Sequence, residues 1–113
     1  DNIDGMRGKL MKIFDITGDS FTSEVENYDG TVLIDFFADW CTPCKMISPV
    51  IEDIAKTSEN KVKVCKVNVE TEKDLAERLG IMSIPTIVVM KNGAIKNRSV
   101  GVTGKKAIMD MLG

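Results

Sequence analysis

The sequence predicts an α/β domain: a mixed sheet covered by helices on both faces. Strand-like and helix-like segments alternate over the first two-thirds of the chain, which implies parallel pairing through crossovers. The run TVLIDFFA, residues 31–38, is apolar on both faces, as a central strand is. Asn92-Gly93 falls between two further strand-like runs and marks a hairpin that adds an antiparallel edge. With 113 residues the chain fits one domain.

The elements follow in order. Asp1–Leu10 is polar, glycine-containing and without periodicity, so residues 1–10 are expected to be a flexible leader, native or added, with the domain spanning 11–113. MKIFDI, from Met11, reads as a strand, and GDSFTSEVEN as a short helix starting near Asp19 or Ser20. After TVLIDFFA, apolar residues at Met46, Ile47, Val50, Ile51, Ile54 and Ala55 recur at helical spacing and predict a helix from Thr42 to about Ser58. Pro49 lies inside it and is expected to kink it. KVKVCKVNV is the next strand, and ETEKDLAERLG a helix capped by Gly80. PTIVVM and AIKNRSV are the hairpin strands. A terminal amphipathic helix follows Gly104, carrying Ala107, Ile108, Met111 and Leu112. The order is β-α-β-α-β-α-β-β-α: five strands and four helices.

Composition narrows the function. The 15 basic and 17 acidic residues are interspersed, and no basic cluster offers a nucleic-acid footprint. No apolar run approaches the ~18 residues of a membrane span, and DNIDGMRGKL lacks the apolar core of a secretory signal, so a cytoplasmic protein is expected. Three cysteines are too few and odd in number for a secreted disulfide framework. Histidine is absent, which excludes Cys–His and Ser–His nucleophilic pairs and histidine-containing metal sites.

Chemistry must then come from thiols, carboxylates and lysines, and DFFADWCTPCKMISP, residues 35–49, concentrates them. Cys41 and Cys44 are spaced i, i+3 at a strand-to-helix junction, which brings their Cα atoms within roughly 5–6 Å. A disulfide fits that separation, and the loop it closes is too short to stabilise the fold much. Such a bridge suits switching. Cys41, nearer the helix N-terminus, is expected to have the lowered pKa and to be the nucleophile; Cys44 is expected to be sheltered and to resolve the mixed disulfide. Asp35, inside a buried strand, is expected to have a raised pKa and to accept the Cys44 proton. Lys66 in the next strand is its candidate neighbour.

WCTPCK, preceded by VLIDFFAD and followed by SIPT, KNG and VGV in matching order, resembles the thioredoxin family from about Lys12 to Leu112. The resemblance implies the thioredoxin fold, a central mixed five-stranded sheet flanked by four helices. It implies protein-disulfide reduction with Cys41 as exposed nucleophile, Cys44 as resolving thiol, a Cys41–Cys44 disulfide, Asp35 as buried proton acceptor and Lys66 beside it. Trp40, Pro43 and Pro49 match family positions. Pro85 matches a cis-proline facing the disulfide, preceded by Ile84, and Gly101 a glycine at the docking groove. No bound cofactor or metal is implied. Electrons are expected from NADPH through a separate thioredoxin reductase, and the partners are that reductase and disulfide-containing target proteins, with no nucleic acid or membrane and a monomeric state.

Two positions depart from the pattern. Thr42 replaces the usual glycine, and residues 42 and 43 tune the redox balance of the pair, so no family potential transfers. Phe37 stands where tryptophan is common. Two other readings stay open from the residues: a disulfide oxidant or isomerase, which Thr42 keeps alive, and a redox-independent module binding partners through Trp40, Pro85 and Gly101. A zinc half-site at the cysteine pair lacks the other two ligands. Cys65, mid-strand among valines, reads as a buried, inert thiol, and the seven methionines as core filler.

Overall fold

Seven residues that suit a pleat buried on both sides, Thr31–Phe37, form β2 and occupy the middle of the sheet. The computed structural model describes residues 12–58 and 61–113; the expected leader, with Met11, lies outside them. Around β2 stand β1 (Ile13–Asp15), α1 (Thr22–Glu26), α2 (Thr42–Thr57), β3 (Val62–Asn68), α3 (Lys73–Arg78), β4 (Thr86–Lys91), β5 (Ala94–Val100) and α4 (Lys105–Met111). The sheet order is β1-β3-β2-β4-β5. β1 and β2 pair parallel with β3, whereas β4 pairs antiparallel with both β2 and β5. Sequence anticipated the β4–β5 hairpin; the antiparallel β2–β4 pairing needed the three-dimensional path of the chain.

Side-chain alternation splits the core into two layers. Val32, Ile34, Phe36, Cys65, Val67, Val88 and Met90 face one side, against Phe21, Val25 and Leu75 from the α1 and α3 regions. Leu33, Val64, Ile87 and Val89 face the other, against Ile47, Ile51 and Ile54 of α2 and Ile108 of α4. Each of these α2 isoleucines is at most 1% exposed, so each contributes about 1.5–3 kcal/mol of hydrophobic stabilisation. Met46, expected on that stripe, is instead 61% exposed. Pro49 sits within α2 without ending it.

Two helices differ from expectation for local reasons. α1 is a single π-type turn, closed by the Asn27 N–H donating to the Thr22 carbonyl. α3 begins at Lys73 because Asn68 holds the preceding residues in a turn: its Oδ1 accepts the Glu70 N–H, and its carbonyl accepts the Thr71 hydroxyl and the Glu72 N–H. At its other end Gly80, with φ of 72°, completes a Schellman cap: the Gly80 and Ile81 N–H groups donate to the carbonyls of Glu77 and Ala76.

The hairpin turn has φ of 50° at Asn92 and 83° at Gly93, both left-handed, as a two-residue turn matched to strand twist requires. It is tied to the start of β2, since Asn92 Oδ1 accepts the Gly30 N–H and the Asn92 N–H donates to the Gly30 carbonyl. A Cβ at Gly93 would meet the Glu26 carbonyl oxygen at 2.8 Å. Gly93→Ala should therefore lower unfolding stability by more than about 1 kcal/mol in a denaturant titration. Gly18→Ala, whose Cβ meets nothing nearer than Glu72 Oε1 at 3.8 Å, should stay within about 0.5 kcal/mol.

Candidate functional site

The chain leaves β2 at Phe37, crosses Ala38–Trp40 and enters α2 with Cys41 as its N-cap. Cys41 keeps extended backbone angles (φ −85°, ψ 108°), and its Sγ takes the position of a capping acceptor, receiving the Cys44 N–H at 3.2 Å. The sulfur replaces the hydroxyl or carboxylate that usually serves there. Pro43, in the first turn, costs no hydrogen bond, because an N–H at that position has no intrahelical acceptor. The two sulfurs are joined in a disulfide with a Cα separation of 5.2 Å.

Exposure does not separate the two cysteines. Cys41 is 2% and Cys44 3% exposed, so the expected contrast between an open nucleophile and a sheltered partner is absent from their accessibility. Both belong to a buried cluster with Ala38, against which Phe37, Val69 and Ile84 pack. What distinguishes them is direction. Cys41 lines a surface groove of about 470 Å³, with Trp40, Pro43, Val69, Ile81, Met82, Ser83 and Ile84.

Asp35 is 1% exposed, and neither carboxylate oxygen has a hydrogen-bond partner. Strand alternation places it on the Leu33 side, the α2 face of the sheet. Burial pushes its pKa from 3.8 up to about 6, with the Lys66 charge pulling it back. Lys66 is its register partner on β3, but the two form no ion pair within 4 Å; the Lys66 ammonium lies over the Phe37 ring, 4.4 Å from its centroid. The lysine therefore moderates Asp35 through space. Phe37, in the place of a common tryptophan, provides the π face that holds it.

The remaining expected residues divide around the groove. Trp40 is 65% exposed on its rim, and Thr42 and Pro43 are exposed beside it. Ile84 lines the groove and precedes a cis bond to Pro85, which is itself buried. Gly101, with φ of 95°, donates its N–H to the Pro85 carbonyl at 2.9 Å; neither Pro85 nor Gly101 lines the groove itself. Sequence reasoning missed Val69, Ile81, Met82 and Ser83 as groove residues. Met82 is 95% exposed, and its only local signal was a large apolar residue in a short loop. Cys65 is buried in the α1 and α3 layer, where burial pushes its thiol up to about 12, which disfavours the thiolate. No cluster of metal-ligating side chains occurs among the described residues.

Residues 12–113 match the family model described as Thioredoxin. The chain is 42% identical to a thioredoxin of Rickettsia bellii over 97 residues, covering 86% of this chain and 92% of that protein. It is 38% identical to a thioredoxin of Pseudomonas aeruginosa over 100 residues, covering 88% and 93%. Among solved structures, the Malassezia sympodialis thioredoxin superposes with a TM-score of 0.81 at 38% identity, covering 89% of each chain. The chain belongs to the thioredoxin family. It has that family's fold and is a protein dithiol–disulfide oxidoreductase, and its Cys41 and Cys44 are joined in a disulfide. Members of the family typically bind no cofactor and generally work with a thioredoxin reductase and disulfide-containing targets.

In this thioredoxin-family chain Asp35 opposes folding at neutral pH. An acid with a higher pKa folded than unfolded holds its proton more tightly in the folded state. Stability therefore falls as pH rises through the interval from about 4 to about 6, and the loss is complete above it. A shift of this size corresponds to about 3 kcal/mol. Asp35→Asn should be more stable than the parent by about 1–3 kcal/mol at pH 7.5, and denaturant titrations across pH should show the gap closing toward pH 4.

Proposed function

We propose that this protein is a cytoplasmic disulfide reductase in which Cys41 attacks target disulfides and Cys44 resolves the resulting mixed disulfide. The observation that carries the assignment is the Cys41 sulfur seated as acceptor at the α2 N-terminus while facing the groove. An amide N–H and the positive end of a 16-residue helix both favour the thiolate of the reduced form.

The Cys41 thiolate attacks one sulfur of the target disulfide, breaking that bond and releasing a target thiolate. Cys44 then loses its proton and attacks Cys41 Sγ, closing the Cys41–Cys44 bond and expelling the second target thiol. Two electrons pass to the target. Asp35 is the proton acceptor for Cys44: it lies on the α2 face, both its oxygens are free, and a pKa near 6 suits proton transfer at neutral pH. Lys66 keeps that pKa from rising further. Trp40, Ile84, Pro85 and Gly101 form or support the surface on which the target lies, and Thr42 and Pro43 tune the redox balance of the pair. A thioredoxin reductase, drawing on NADPH, returns the electrons. The cytoplasmic assignment agrees with a groove chemistry that needs a reducing supply; no helix among the described residues is long and apolar enough to cross a membrane.

Cys41→Ser should abolish insulin-disulfide reduction in a turbidity assay with NADPH and a thioredoxin reductase. Cys44→Ser should retain the first attack and accumulate mixed disulfides, visible as target adducts on a non-reducing gel. Full turnover by Cys41→Ser would refute the assignment.

A further inference from the structure

The groove wall opposite the cysteine pair is the loop from Gly80 to Pro85, which contributes Ile81, Met82, Ser83 and Ile84. Its amides and carbonyls are held unevenly. At the far end the Gly101 N–H donates to the Pro85 carbonyl, and the buried Thr86 hydroxyl donates to the Ser83 carbonyl at 2.6 Å. At the near end the Schellman cap of α3 uses the carbonyls of Ala76 and Glu77. The Arg98 guanidinium takes the carbonyls of Leu79 and Gly80: Nη2 donates to Leu79 at 2.9 Å and Nη1 to Gly80 at 3.2 Å.

Arg98 reaches them because it sits opposite Val88 in the β4–β5 pairing, and so on the α3 face of the sheet. Its flat fork spans two successive carbonyls, which a lysine ammonium cannot match in geometry. β5 and the residue that follows it are thereby tied to the groove loop twice, through Arg98 at Leu79 and Gly80 and through Gly101 at Pro85.

We propose that Arg98 is a positioning residue for target docking: it fixes the start of the loop that presents Ile81, Met82 and Ile84 to an incoming polypeptide. This rests on the disulfide-reductase reading. Arg98 touches neither sulfur, so it acts on targets that occupy the groove and not on thiol chemistry as such.

The test uses the pre-reduced 113-residue protein, wild type, Arg98→Met and Arg98→Lys, oxidised either by insulin or by hydroxyethyl disulfide, which is too small to span the groove. Thiol titration gives the second-order rate for each. Arg98→Met should slow the insulin reaction about fivefold, the effect of losing charge-assisted bonds at an exposed site, and leave the small disulfide unchanged. Arg98→Lys should recover part of the loss. Amide hydrogen exchange should quicken at Ile81–Ile84 in Arg98→Met and stay constant in β2 and α2. An unchanged insulin rate, or an equal fall with both oxidants, overturns the clamp. A wild-type protein inert toward insulin would instead overturn the reductase reading on which it rests.

Discussion

The Cys44 N–H that points at the Cys41 sulfur is the contact on which the site is organised. It requires Cys41 to stay outside the helix as its cap, Pro43 to start the first turn without a wasted donor, and α2 to begin where β2 ends. The last of these goes with the central position of β2, whose Leu33 face is covered by Ile47, Ile51 and Ile54 of α2. Ligand sites in open α/β sheets gather at the carboxyl ends of strands for the same reason: helix N-termini converge there. Burial of both cysteines adds to the effect, since an N–H aimed at sulfur acts more strongly away from water.

Asp35 shows what the site gives up. A carboxylate with no hydrogen-bond partner in the middle strand is unfavourable for stability once ionised, and Lys66 offsets it only through space. Were Lys66 to pair with it directly, the carboxylate would be more stable but its pKa would fall, and it would be a weaker proton acceptor near neutrality. Phe37 bears on this balance, because its ring holds the ammonium where it moderates the charge without forming an ion pair. In the proposed mechanism stability and function are opposed at this one residue, a pattern common to active sites.

The groove belongs to a second part of the molecule, the antiparallel half of the sheet. β4 and β5 arise from a hairpin whose turn conformation is local, but their effect on the site is long-range. Arg98 of β5 and Gly101 just after it hold the two ends of the loop that faces the cysteines, although β5 is exposed along nearly its whole length. The exposed Trp40 and Met82 stand on the rim of a groove whose lining carries no charged side chain.

By itself the sequence determined everything that depends on neighbours along the chain. Element order, the Asn92-Gly93 turn, the Gly80 cap, the central character of Thr31–Phe37 and the i, i+3 cysteine pair at a helix start all follow from local geometry, and all are present in the structure. Local pattern erred where a nearby side chain or a distant surface decides: Asn68 shortens α3, and Met46, although at helical spacing, stays 61% exposed. Only the tertiary structure brought Asp35 and Lys66 into register without an ion pair, buried both cysteines, made Met82 a groove residue and set Arg98 on the end of α3. These are contacts between residues far apart in the chain, created by strand pairing and layer packing, and no spacing or composition records them.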